Sequence, residues 1–320
     1  MILDQKLDAG EVIVLDGATG TEITRRGATF DNASWAGLFN KTHPELVRAV
    51  HEDYIRAGAD IITTNTFATH RHVLDGAGFG DESVAITQRG IELAFEARDR
   101  VAPGRPVAVA GSMSTMLAWS AGSLSPDPRF IPTAEQECAN FREIANTLAE
   151  GGVDFIVMEM MLELEHAPRA ISAALSTGLP VWIGISCSQL PDGGVIGWNA
   201  AIESLPVNEN DQSRPCIPLE TILEQLLCMG GNVAGIMHSS VSSTSPALEA
   251  LFKHWSGPVM AYPETSQRAN SPGVAPADFA THCRQWVDDG VQIIGGCCGA
   301  TIEHIREMVD GLPKRPGIRH

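Results

Sequence analysis

The sequence of 320 residues has few basic residues and no long apolar run. No apolar stretch approaches the roughly 20 residues that a helix needs to cross a bilayer, which argues against a membrane protein. Lysine and arginine number 22 against 39 aspartate and glutamate residues, which gives a formal net charge of −17. Because nucleic acids and anionic membranes attract basic proteins, this balance disfavours both as partners.

A disulfide framework and a secretion signal are also missing. The seven cysteines are an odd number, and most lie in apolar or helical surroundings of a chain long enough to bury a core. The first ten residues carry charges and lack the apolar region of a signal peptide. We therefore expect a soluble cytoplasmic protein. The sequence does not determine the oligomeric state, and a homo-oligomer is one of the alternatives.

Eight short apolar segments alternate with amphipathic helical segments, from residues 12–15 to residues 291–294. Such strands indicate a parallel sheet that is buried on both faces. Eight units in about 300 residues predict an α/β fold, a single-domain (β/α)8 TIM barrel over residues 1–320. The alternative is a doubly wound open sheet, whose phosphate-binding glycine motif is only weakly approximated by residues 17–20. A polar loop over residues 189–218 is a candidate lid.

Two adjacent cysteines, Cys297 and Cys298, follow the last strand and lie between glycines. Neighbouring residues of a regular strand point to opposite faces, so the two thiols can converge only in an irregular turn, which glycine permits. Two convergent thiolates form half of a tetrahedral zinc site. The alternatives are two ordinary buried cysteines or a vicinal disulfide.

Polar or metal-binding residues end nearly every predicted strand. These strand ends are Asp16, Asn65, Ser112, Glu159, Cys187, His238, Glu264 and the Cys297–Cys298 pair. In a TIM barrel all of them meet on the rim that carries the active site. Asp16 and Glu159 could bind the ammonium group of an amino acid, support a metal ligand or cap a helix. The backbone amides of residues 17–19 could hold a carboxylate. Either His238 or Cys187 could supply a third metal ligand.

The chain closely resembles the zinc-dependent homocysteine S-methyltransferase family over essentially its whole length. The segments that carry the resemblance are residues 16–22, Trp35, residues 43–47, residues 51–60, residues 64–67, Glu159, residues 295–299 and residues 304–305. The resemblance implies a (β/α)8 barrel and methyl transfer from an onium donor to homocysteine, which gives methionine. It also implies small-molecule partners only, a thiol acceptor and a methyl donor, with Zn²⁺ as cofactor.

The resemblance also implies the site residues. The family holds zinc with three cysteines, of which two match Cys297 and Cys298, whereas the third position is His238 in this chain. Acceptor contacts match Asp16, the following turn of Gly17, Ala18 and Thr19, and Glu159, and Asn65 is assigned to the same substrate-binding set. A Cys2His site still leaves an open position for substrate.

The family's methyl-donor site is only partly matched. Trp35 matches the tryptophan that contacts the quaternary ammonium of betaine, but the accompanying tyrosines are replaced by Ala68 and Met160. An S-methylmethionine-like sulfonium donor is therefore favoured over betaine. The alternatives are a different thiol acceptor or donor, a non-catalytic metal- or thiol-binding barrel, and a lyase or hydrolase that uses Asp16 or Glu159.

Overall fold

The computed structural model describes residues 2–208, 216–266 and 273–313. The strands are β1 Ile13–Val14, β2 Ile61–Thr63, β3 Ala108–Ser114, β4 Phe155–Met161, β5 Val181–Ile185, β6 Cys187–Gln189, β7 Val195–Gly197, β8 Val233–Ser240, β9 Val259–Glu264 and β10 Ile293–Ile294. The helices are α1 Ile2–Asp8, α2 Thr19–Arg25, α3 Phe39–Thr42, α4 Pro44–Ala57, α5 Arg71–Gly76, α6 Ser83–Val101, α7 Ala134–Glu150, α8 Ala167–Leu175, α9 Leu219–Leu227, α10 Val241–His254, α11 Pro276–Asp288 and α12 Ile302–Gly311.

Eight parallel strands form the barrel, in the order β1, β10, β9, β8, β5, β4, β3 and β2. A parallel bridge between Leu15 and Ile61 joins the first and last strands of that order. The amide of Asp60 adds a hydrogen bond of 2.8 Å to the Val14 carbonyl at the same seam. The closed (β/α)8 barrel predicted from the sequence is therefore confirmed, and the open doubly wound sheet is excluded.

The apolar strands bury both faces, which explains their continuous hydrophobic composition. One cluster of buried side chains fills the barrel interior, and a larger one lies between the strands and the surrounding helices. Helix α1 contributes Leu3 to the interior cluster, and Lys6 binds Asp60 at 3.0 Å. Helix α1 is therefore anchored to the barrel at its first strands. Among the described helices, none is both long and apolar enough to cross a membrane.

The loop predicted as a lid begins as an antiparallel hairpin, which the sequence did not predict. Strand β6 pairs with β7. Gly197 packs so closely against the backbone of Leu162 that a Cβ atom added to Gly197 would lie 2.3 Å from the Leu162 carbonyl oxygen. The hairpin is thereby packed against the end of β4. Residues 209–215 of the predicted loop lie outside the described residues.

The buried side chain of His51, on α4, should make the folded protein measurably less stable in acid. Its ring is buried, both ring nitrogens lack a hydrogen-bond partner in the described chain, and burial lowers its pKa to about 4. Below pH 6.5 the unfolded chain binds a proton that the folded chain excludes. Wild type should therefore lose about 1.4 kcal/mol of unfolding free energy per pH unit, relative to His51→Phe, between pH 6.5 and 4.

Urea denaturation of both proteins at four pH values tests this expectation. The difference between the two proteins cancels every other titration and isolates His51. A difference that stays constant from pH 7 to 4 would contradict it.

Candidate metal and substrate site

Three potential metal ligands converge at the carboxyl ends of β8 and β10. The ligand atoms of His238, Cys297 and Cys298 all lie within 4.8 Å of one another. The Nδ1 atom of His238 is 3.4 Å from the Sγ atom of Cys297. No cysteine of the described chain is in a disulfide, so the vicinal pair is not bridged. The arrangement brings together the three residues that the sequence assigned to a metal.

Close backbone packing produces the turn that carries the two cysteines. A Cβ atom on Gly295 would lie 2.6 Å from the Leu15 Cβ, and Gly299 has a φ of +80° beside the backbone of Ser266. The amide of Cys297 donates to the carbonyl of Pro263, in β9, at 2.7 Å. The Cys298 carbonyl accepts from the amide of Thr265, the residue after β9. Glycine is therefore required on both sides, and the end of β9 fixes the backbone of both cysteines.

Local backbone strain marks the same part of the barrel. The non-glycine residues with positive φ in the described chain are Trp35 (47°), Met160 (57°), Ser204 (58°) and His238 (44°). Three of these four line one cavity, and the register of β4 and of β8 shifts around Met160 and His238. Bulges of this kind re-aim side chains next to active sites. The sequence reasoning missed both bulges.

Cysteine 187, the alternative third ligand, lies outside the three-residue cluster. Its thiol is fully buried in the apolar layer between strands and helices, 3.3 Å from the Ser239 hydroxyl. Burial raises its pKa to about 12. Such a thiol resists ionisation and is a poor metal ligand at neutral pH.

Aspartate 16 lies at the end of β1 and is fully buried. Its carboxylate accepts a hydrogen bond of 2.7 Å from the Thr63 amide and one of 3.1 Å from the Thr63 hydroxyl. The Tyr262 hydroxyl donates to it at 3.4 Å. Burial outweighs these bonds and raises the pKa of Asp16 to about 8. Thr63 and Tyr262 line the cavity, whereas Asp16 lies behind them.

Glutamate 159 lines the cavity at the end of β4. It accepts a short hydrogen bond from the Ser112 hydroxyl, and it is only 8 % exposed. Burial raises its pKa to about 7, and the nearby Cys298 side chain adds to the rise. A cation in the cavity would favour the ionised form of this carboxyl.

The predicted substrate-binding turn is held by a tyrosine that the sequence reasoning did not single out. A Cβ on Gly17 would lie 2.6 Å from the Tyr54 ring. The Tyr54 hydroxyl contacts the Ala18 carbonyl at 3.1 Å and the Ala300 carbonyl at 2.9 Å. Ala18 and Thr19 line the cavity, and Gly17 does not. Tyr54 thus joins the first-strand turn to the segment after the cysteines.

Trp35 and Asn65 both line the cavity, but they make different contacts. Trp35 packs edge-on against Phe67, with ring centroids 5.5 Å apart. The Asn65 side-chain amide donates to the Ala36 carbonyl and to the Asn40 side chain, each at 3.0 Å. Asn65 therefore holds the loop that carries Trp35.

The cavity has a volume of about 420 Å3 and opens from the two cysteines toward a largely apolar chamber. Its aromatic walls are Trp35, Phe67, Trp119, Trp198 and Tyr262. Several residues of the 189–218 segment also line it, and the Trp198 ring lies 5.4 Å from the His238 ring. The described part of this segment therefore forms part of the cavity wall, and its role as a lid stays a prediction.

Removing the Tyr54 hydroxyl should weaken the fold. Tyr54→Phe leaves two buried carbonyls with one hydrogen bond fewer, and we expect a loss of about 1–2 kcal/mol in the free energy of unfolding. Urea denaturation measures this loss. The substitution leaves the three metal-ligand candidates in place, so the protein should still bind zinc. An unchanged unfolding free energy would refute the assigned link.

Comparison with known proteins agrees with the fold and identifies the family. A sequence profile of the homocysteine S-methyltransferase family matches residues 13–312. A selenocysteine Se-methyltransferase from Brassica oleracea var. italica is 26 % identical over 97 % of this chain and 92 % of its own length. Homocysteine S-methyltransferase 2 from Arabidopsis thaliana is 26 % identical over 97 % of this chain and 95 % of its own.

A solved structure has the same fold. The metallated form of the homocysteine methyltransferase MmuM from Escherichia coli superposes with a TM-score of 0.72 at 24 % identity. The match covers 96 % of this chain and 98 % of that one. Because the family profile spans nearly the whole barrel, the resemblance predicted from the sequence is confirmed, and this chain belongs to the homocysteine S-methyltransferase family.

Proposed function

We propose that this protein transfers a methyl group from a sulfonium donor to the thiol of homocysteine, with Zn²⁺ held by His238, Cys297 and Cys298. The observation that carries the proposal is the convergence of these three ligand atoms within 4.8 Å at one end of the cavity. Two buried carboxyls, of Asp16 and Glu159, belong to the same rim.

The donor set suits zinc better than a hard cation. Two thiols and one imidazole are typical zinc ligands, and a three-residue set leaves a position for substrate. Magnesium and calcium prefer oxygen ligands. A zinc ion bound there would supply a Lewis acid that keeps the substrate thiol deprotonated at neutral pH.

The rim residues bind and orient the amino-acid part of homocysteine. Its ammonium group would be held by the Glu159 carboxylate, which lines the cavity, and by the Asp16 carboxylate once Thr63 and Tyr262 give way in front of it. Both carboxyls must release their protons first because burial raises their pKa values. The first turn of α2 begins at Thr19, and N–H groups there lack intrahelical partners. These amides can hold the substrate carboxylate.

The transfer step needs alignment and exclusion of water. The thiolate sulfur forms the new bond to the methyl carbon, the old carbon–sulfonium bond breaks, and its electron pair stays on the donor sulfur. A thiolate and a sulfonium thus become two neutral thioethers. The apolar chamber favours this loss of charge because it solvates the separated ions poorly, and its walls align the reactants.

The donor side favours a sulfonium over betaine. Trp35 lines the chamber, but Ala68 and Met160 stand where a full aromatic cage would need tyrosines. A quaternary ammonium therefore gains less here than in a complete cage. With S-methylmethionine as donor, both products would be methionine.

Incubation of the zinc-loaded protein with homocysteine and S-methylmethionine tests the proposal. We expect methionine to form, with betaine at least about tenfold slower because part of the cation–π contact is missing. Cysteine and selenocysteine belong in the acceptor panel, because one relative is named a selenocysteine Se-methyltransferase. Stoichiometric zinc without turnover for any donor and acceptor would end the proposal in favour of a non-catalytic barrel.

A further inference from the structure

Glu163 and His166, between β4 and α8, are two further ionisable side chains that line the cavity. The others are Glu159, Tyr262 and the three metal-ligand candidates. Among the described residues that line the cavity, none is lysine or arginine. His166 is therefore the cation-forming side chain available there for a negatively charged part of a substrate, apart from His238 in the metal-ligand cluster.

Contacts to one nitrogen of its ring hold His166 in place. Its Nδ1 atom lies 2.6 Å from a carboxylate oxygen of Glu137, whose side chain is 1 % exposed. Arg169 binds the other oxygen of that carboxylate. The Nε2 atom makes no hydrogen bond to any described residue, and the side chain is 21 % exposed. One ring nitrogen is thus anchored while the other remains available.

The loop that carries His166 is also fixed. The Glu163 carboxylate accepts hydrogen bonds from the amides of Glu165, His166 and Ala167 at the start of α8, at 2.9 Å for His166. These bonds commit the Glu163 carboxylate to the helix start. The His166 ring is therefore positioned before any ligand binds.

The surrounding charges favour the protonated ring. Burial alone would lower the pKa of His166, but the hydrogen bond to Glu137 and the charges of Glu163 and Glu165 raise it above its usual value. Arg169 and His72 are the other ionisable groups nearby. A protonated histidine donates from both ring nitrogens, so Nε2–H remains a donor for an anion.

We propose that His166, anchored by Glu137, binds the carboxylate of the methyl donor. The inference rests on the proposed function and adds the class of donor, an onium compound that carries a carboxylate. The acceptor's own carboxylate is assigned to the amides at the start of α2, so the two carboxylates have separate sites.

The test compares two donors that differ only in this group. S-methylmethionine carries the carboxylate, and S-methylmethionine amide replaces it with a neutral amide of similar size. Wild type should show a KM for the amide about 10- to 100-fold above that for S-methylmethionine, the effect of one charge-assisted hydrogen bond. In His166→Gln the two KM values should become nearly equal, while kcat and the homocysteine KM change little.

Arg169→Gln is the matched control. It removes another partner of Glu137 without touching a cavity-lining side chain, and it should keep the wild-type preference for the carboxylate donor. A His166→Gln variant that raises both donor KM values equally would show a merely structural role. A variant that raises the homocysteine KM instead would assign His166 to the acceptor.

Failure of the proposed function would be visible separately. If neither donor supports methyl transfer in wild type, that function falls. Dissociation constants of S-methylmethionine and its amide, measured by quenching of tryptophan fluorescence in wild type and His166→Gln, would still decide the assignment of His166. Equal affinities of wild type for the two compounds would overturn it.

Discussion

Replacement of Cys298 by serine is expected to abolish zinc binding and to lower methyl transfer by about 10³-fold or more. The substitution removes one of three ligand atoms that lie within 4.8 Å of one another, and a hydroxyl is a far weaker zinc ligand than a thiolate. Zinc content by mass spectrometry and methionine formation from S-methylmethionine measure the two effects. Cys297→Ser should behave in the same way.

Other cysteines and His238 provide the controls for this prediction. Cys228→Ser changes an exposed thiol and should leave zinc and activity unchanged. Cys187→Ser should also retain zinc, because that thiol lies in the apolar core outside the cluster. His238→Cys should retain zinc as well. Loss of zinc from Cys187→Ser, with retention in His238→Ala, would transfer the third position to Cys187.

Replacement of Asp16 by asparagine should have opposite effects on acceptor binding and on stability. Asparagine keeps the shape and can still accept from the Thr63 amide, but it cannot pair with the substrate ammonium. We expect the homocysteine KM to rise about 10- to 100-fold, the effect of one charge-assisted hydrogen bond. Steady-state kinetics at pH 8 measure it.

The same variant should be more stable than wild type, by an amount that grows with pH. The pKa of Asp16 is about 8 in the folded protein and 3.8 in an exposed carboxyl, so the folded state holds a proton that the unfolded state releases. Wild type therefore loses about 1.4 kcal/mol per pH unit relative to Asp16→Asn as pH rises from 4 to 8. Urea denaturation of both proteins across this range measures the difference in unfolding free energy. A difference that does not change with pH would contradict the assignment.

Ligand binding gives a second view of the same proton. Methionine has the ammonium group of homocysteine but no thiol proton, so its binding at pH 7 should release about one proton from Asp16 and about half a proton from Glu159. Calorimetry in two buffers of different ionisation enthalpy counts it. Asp16→Asn should release less, and equal release from both proteins would mean that another group supplies the proton.

The sequence predicted the frame of the site because strand ends follow from simple patterns. Apolar segments located the barrel strands, and the glycine–cysteine run predicted an irregular turn that the structure contains. The choice of His238 rested on family resemblance, because residue type alone left Cys187 equally available. The structure separates the two: His238 lies in the irregular part of β8 beside Cys297, whereas Cys187 packs in the apolar core.

The features that the sequence did not reveal depend on contacts between distant segments. Tyr54 contacts Ala300 across 246 positions of sequence, and Glu137 meets His166 from a different helix. Neither pairing leaves a local pattern of hydrophobicity or spacing. The β6–β7 hairpin was missed because each of its strands has only three residues, too few to show a hydrophobic pattern.

X-ray absorption at the zinc edge, measured on the zinc-loaded protein, tests the central claim most directly. With Cys297, Cys298 and His238 as ligands, we predict two sulfur scatterers at about 2.3 Å and one imidazole nitrogen at about 2.0–2.1 Å from the metal. His238→Ala should lose the imidazole contribution. A zinc environment with three protein sulfurs, or with none, would contradict this account.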